Sequence, residues 1–155
     1  MSTQVHLDLA IAHKFFSAEC FNKTWELMKQ AERTPEEEVL MVSLSHASLY
    51  HWSQRADCQP INISIAFWQL SRVNALLGRP TDAYGYAVLC LAKSDALPPY
   101  YRGYAYEALA RSEKLSGNAS AAAAHIAMAR SLATLVESQQ DRDVLLNDLA
   151  QIEAA

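Results

Sequence analysis

Seven side chains carry the chemistry open to this chain: His46, Tyr50, Trp68, Arg72, Tyr104, Glu107 and Arg111. Trp68 stands one helical turn before Arg72, and Glu107 one turn before Arg111. A Glu followed by Arg at this spacing is a favourable helix pair, worth only about 0.2–0.5 kcal/mol when exposed. In surroundings this poor in charge the two arginines need partners, and Glu107 with His46 or Tyr50 could serve. One reading is a structural Arg–Glu–His network that locks the second, third and fifth helices together. The other is a clamp for an anion or a peptide carboxylate, with Tyr100, Tyr104 and Trp68 as an aromatic wall for the ligand.

Other chemistries find no starting point. His46 and His51 are five apart, which places them about 140° apart around a helix of 3.6 residues per turn. Zinc-binding pairs on one helix sit at i, i+4 beside a further ligand, and His6, His13 and His125 add no helpful spacing. Hydrogen-bonded structural histidines are the expectation, with no metal and no cofactor. The chain contains no GxSxG, no phosphate-binding glycine loop and no GxGxxG, so no catalytic residue is assigned and an enzyme is not expected.

Composition narrows the partners. The net charge is −4 and no Lys/Arg cluster exists, which argues against nucleic acid. No apolar run is long enough for a membrane span, and the N-terminus lacks the basic start of a signal peptide. Three cysteines (Cys20, Cys58, Cys90) without a CxxC pair suit reduced thiols, and a cytoplasmic location is expected.

The elements that position these residues are helical throughout. Gly and Pro sit where helices would stop, and Ala, Leu, Glu and Ser dominate. A first helix is expected from a cap at Ser2 or Thr3 to about Gln30, with Leu7, Ile11, Phe15, Ala18, Phe21, Trp25 and Met28 as its apolar stripe. Thr34-Pro35-Glu36-Glu37 is a capping box with proline at the first helical position, opening a second helix from Pro35 to about Arg55. From Val39 to Gln54 this helix carries no Asp, Glu, Lys or Arg, which predicts little solvent-facing surface. Further helices are expected over Ile61–Leu77, Asp82–Ser94, Pro99–Ser116, Ala119–Ser138 and Asp141–Ile152, the whole of 1–155 being one domain.

Ile65 to Ala92 reads as two helices folded back around Gly78-Arg79-Pro80-Thr81, and a copy follows 39 residues downstream around Gly117. Aligning the two glycines places Phe67 over Tyr106, Leu70 over Leu109, Ser71 over Ala110 and Arg72 over Arg111. It also places Ala83 over Ala122, Ala87 over Ile126 and Cys90 over Ala129.

This spacing resembles the tetratricopeptide (TPR) repeat over about Pro60 to Thr134. Asn74 and Glu113 stand where that pattern has Tyr, Ala87 where it has a bulky aromatic, and the period exceeds the usual 34 residues. Over nearly its whole length the chain also resembles a group of small uncharacterised bacterial proteins with TPR-like folds. FNKTW (21–25), RTPEE (33–37), HASLYHW (46–52), WQLSRV (68–73), YAYEALAR (104–111) and DRDVLLNDL (141–149) carry that likeness. The resemblance implies an all-α, right-handed stack of about six or seven helices in TPR-like hairpins, the first helix pair supplying a third, divergent unit. It places Arg72 and Arg111 on the helices that line the inner groove. The function expected is an interaction module for a peptide or protein partner. A small-molecule-binding sensor, its pocket closed by the first and last helices, is the alternative, as is a structural protein whose open repeat faces pair in a homodimer.

Overall fold

The computed structural model describes residues 7–155. Among them every regular element is a helix: α1 (Leu9–Met28), α2 (Pro35–Ser53), α3 (Pro60–Leu76), α4 (Pro80–Ser94), α5 (Pro99–Leu115), α6 (Ala119–Ala133) and α7 (Gln139–Ala154). Two compact units result, one ending at Cys58 and the other running from Gln59 to Ala155. No helix among the described residues is long and apolar enough to cross a membrane.

Helix starts follow local chemistry. Proline opens α2, α3, α4 and α5, where its missing N–H would have no intrahelical acceptor anyway. Ahead of α2 the predicted capping box is formed: the Glu37 N–H donates to Thr34 Oγ1 (3.2 Å) and the Thr34 N–H to Glu37 Oε2 (2.8 Å).

The first unit is the α1–α2 hairpin. The cap expected at Ser2 or Thr3 lies outside the described residues; α1 begins at Leu9, with Asp8 Oδ1 accepting from the N–H groups of Ala10 (3.0 Å) and Ile11 (3.2 Å). Its buried line is Ser17, Cys20, Thr24, Leu27 and Met28. The predicted apolar stripe is therefore misplaced. Leu7, Ile11 and Phe15 are exposed, Phe21 and Trp25 are half-buried, and Met28 alone of that set is buried.

Two hydroxyls explain the difference. Ser17 Oγ donates to Lys14 O (3.0 Å) and Thr24 Oγ1 to Cys20 O (2.8 Å), so each satisfies its polarity on its own helix and can face the hairpin. Ser48 Oγ of α2 reaches across to Ser17 O (2.9 Å). The charge-free second helix also departs from expectation, because Val39, Ser43, His46, Tyr50 and Ser53 form an exposed stripe along it.

The second unit contains two hairpins of matched dimensions. α3 and α5 each have 17 residues, α4 and α6 each 15. Gly78 (φ 67°) and Gly117 (φ 79°) adopt the left-handed conformation that a Cβ disfavours. The same backbone bonds close both turns: Gly78 N–H to Ala75 O and Gly117 N–H to Lys114 O at 3.1 Å, Arg79 N–H to Asn74 O and Asn118 N–H to Glu113 O at 2.9 Å. Ala83, Ala87 and Cys90 are buried on α4, Ala87 in a cluster with Ala108 and Leu109 of α5, and their counterparts Ala122, Ile126 and Ala129 are buried on α6.

Ser71 Oγ ties α3 to Ala83 O of α4 (2.7 Å), and Ser64 Oγ meets Cys90 Sγ (3.6 Å). Burial pushes the Cys90 thiol up to about 11. α7 packs on α5 and α6 through Leu145, Leu149 and Ile152. It comes so close to α5 that a Cβ on Gly103 would lie 2.7 Å from Leu145 Cδ2.

Candidate functional site

Within the second unit five of the seven singled-out side chains are on packed helices: Trp68 and Arg72 on α3, Tyr104, Glu107 and Arg111 on α5. Glu107 is the centre. It is fully buried, and its carboxylate is filled from two directions. Trp68 Nε1–H donates to Oε2 (2.9 Å), while Arg111 donates to Oε1 through Nε–H (3.1 Å) and Nη2–H. The Arg111 side chain keeps 17% of its surface exposed. Both carboxylate oxygens of Glu107 are thus engaged by donors from within the unit.

The aromatic residues extend this centre towards α7. The Trp68 ring meets Tyr104 edge-on (centroids 5.7 Å, interplanar 86°), and Tyr104 meets Tyr100 (5.0 Å, 68°). The Tyr104 hydroxyl donates to Asp148 Oδ2 (2.7 Å). Burial first, then this bond and the Asp148 charge, push the Tyr104 phenol far above its ordinary range, so it stays a donor. Burial also raises Tyr100. Asp148 escaped sequence reasoning because its only local signal, an acid on the half-buried side of the last helix, does not reveal a tyrosine 44 residues earlier.

Arg72 stands apart. Its guanidinium is half-buried, and among the described residues it has neither a hydrogen-bond acceptor nor an ion-pair partner. Burial lowers its pKa, the Arg111 charge lowers it further, and Glu107 and Asp148 act the other way. A guanidinium is not deprotonated in proteins, so Arg72 remains a cation at neutral pH. So Glu107 serves Arg111, as expected, and leaves its α3 counterpart with five unused donors.

His46 and Tyr50 belong to α2 in the first unit, and both are exposed. A contact the spacing did not predict lies there: His13 Nδ1 of α1 and His51 Nδ1 of α2 are 2.8 Å apart. Spacing along one helix gives no sign of this partner, because the two histidines stand on different helices. In an antiparallel hairpin, residues equidistant from the turn face each other, and Ser17 with Ser48 obeys the same register. Tyr50 packs on both imidazoles (5.9 and 5.3 Å between centroids) and Phe16 on His51 (5.5 Å). Burial, and secondarily His13, lower the pKa of His51.

Near the same end, Arg55 donates to both carboxylate oxygens of Asp57 (2.8 and 2.7 Å) and to Ser17 Oγ (3.0 Å). Its guanidinium stacks 4.0 Å above Trp52. Among the described residues no group of three or more His, Cys, Asp or Glu side chains converges as a metal site. The chain matches no protein-family model, and neither curated proteins nor solved structures provide a match.

Proposed function

We propose that this protein is a TPR-like interaction module whose Arg72 receives a carboxylate of a peptide or protein partner. The observation that carries the reading is the half-buried guanidinium of Arg72 without an acceptor, beside an Arg111 already matched by Glu107. A buried charge is costly when unpaired, so a partner supplying one carboxylate would gain the bidentate pairing that the chain itself withholds. Trp68, Tyr100 and Tyr104 give this group an aromatic neighbour for the partner's apolar flank.

The TPR-like assignment is supported by the repeat of hairpin lengths, glycine caps and buried small residues across α3–α4 and α5–α6. A binding role suits the site better than an enzymatic one, since its one buried carboxylate is locked by donors. Three cysteines outside any disulfide accord with a reducing cytoplasm.

The test compares wild type, Arg72→Ala and Arg72→Lys. Each is assayed for capture of partners from native cytosol and for binding of peptide pools ending in a free carboxylate or an amide. Loss of captured partners and of carboxylate-dependent binding in Arg72→Ala, at unchanged Tm, is expected. Arg72→Lys should recover only part, because an ammonium lacks the bidentate fork. A lowered Tm with no change in binding would assign Arg72 to structure and reject the proposal.

A further inference from the structure

The histidine pair of the α1–α2 hairpin has no part in the reading above, and its geometry suits more than a hydrogen bond. We propose that His13 and His51 together chelate a divalent ion of tetragonal preference, Cu(II) or Ni(II), through their two Nδ1 atoms. The two Nδ1 atoms lie 2.8 Å apart, sharing one hydrogen in the metal-free pair. Two ligands at about 2.0 Å from a metal, set about 90° apart, are about 2.8 Å from one another, whereas tetrahedral ligands need about 3.3 Å. The rings thus already have the spacing of cis ligands in a square-planar or tetragonal centre, and a zinc tetrahedron would require them to separate.

Preorganisation supports the same conclusion. Tyr50 packs against both imidazoles and Phe16 against His51, so the two rings are held before any ion arrives. The imidazoles are half-buried, with exposed Tyr50 and Phe16 beside them, so the ion and its waters have access. In the neutral pair one ring carries Nδ1–H and donates to the other. Chelation requires that ring to move its hydrogen to Nε2, which frees both Nδ1 lone pairs without net proton release. The remaining positions belong to water, because no carboxylate or thiol joins the pair among the described residues.

The test titrates the full chain with Cu(II), Ni(II) and Zn(II) by calorimetry and records the Cu(II) EPR spectrum. Wild type should bind one Cu(II) with coupling from two nitrogens and at least tenfold more tightly than Zn(II). His13→Ala and His51→Ala should each weaken Cu(II) at least tenfold and remove the two-nitrogen signal. His6→Ala, His46→Ala and His125→Ala should leave both unchanged. Circular dichroism checks that each variant is folded. Should either alanine variant unfold, protection of His13 and His51 from diethyl pyrocarbonate by Cu(II) in wild type gives the answer instead. Undiminished Cu(II) affinity in folded His13→Ala or His51→Ala, absence of the two-nitrogen coupling, or no protection would overturn the proposal.

Discussion

Glu107→Gln is the substitution from which the most can be calculated. The change keeps the volume of a fully buried side chain and removes its charge. Gln can still accept one hydrogen bond, so Trp68 Nε1–H or Arg111 keeps a partner, but not both with full strength. Hydrogen bonds to a charged group contribute about 1.5–3 kcal/mol. Removing one member of a buried pair costs about 3–5 kcal/mol, since the other charge is left stranded.

Arg111 retains 17% exposure, and water reaching it offsets part of that penalty. A loss of about 2–3 kcal/mol follows, which for a chain of this length lowers Tm by roughly 5–10 °C. Without the carboxylate, Arg72 and Arg111 also repel each other with less compensation. Adding Arg72→Met to Glu107→Gln should therefore recover part of the loss. Thermal unfolding by circular dichroism, with urea titration for the free energy, reads all three proteins. A fall in Tm below 2 °C, about 0.5 kcal/mol by the same scaling, would refute the view that Glu107 and its two donors organise this unit.

Two further predictions concern other parts of the chain. Gly85→Ala meets open space in the middle of α4 and should stabilise by about 0.5–1 kcal/mol, whereas Gly103→Ala drives a methyl against the fully buried Leu145 and should destabilise by about 1–2 kcal/mol; urea midpoints that move in the same direction would contradict the packing of α7 on α5. Because folding lowers the His51 pKa, its stabilising contribution is complete above the ordinary 6.5 and is lost as pH falls from there through the lowered value. Protection of the α1 and α2 amides from exchange, taken relative to the unfolded chain at the same pH, should therefore fall between pH 7 and acid in wild type and fall less in His51→Ala; equal pH dependence in the two would exclude the pair as the cause.

Much of the helical layout was readable from punctuation. Thr34-Pro35-Glu36-Glu37 and the glycines at 78 and 117 act through their own backbone, so a few neighbouring residues suffice to predict them. The buried face of α1 was not readable from hydropathy. Ser17 and Thr24 satisfy their hydroxyls on the preceding turn and pass as small core residues, while Ile11 and Phe15 remain outside. The site divided in the same way. Glu107 with Arg111 is a local pair and could be anticipated. Trp68 on Glu107, Tyr104 on Asp148 and His13 on His51 depend on which helix faces which, and the spacing within one helix carries no such information.

The Cys90 thiol has a use outside the protein's own chemistry. Thiol reagents attack the thiolate, and this sulfur is covered and, through burial that outweighs the opposing hydrogen bond with Ser64, held protonated with its pKa pushed up to about 11. Its reaction must therefore wait until α3 and α4 part. The labelling rate of this one atom becomes a clock for the opening of the hairpin that carries Trp68 and Arg72, read without adding a probe to the molecule.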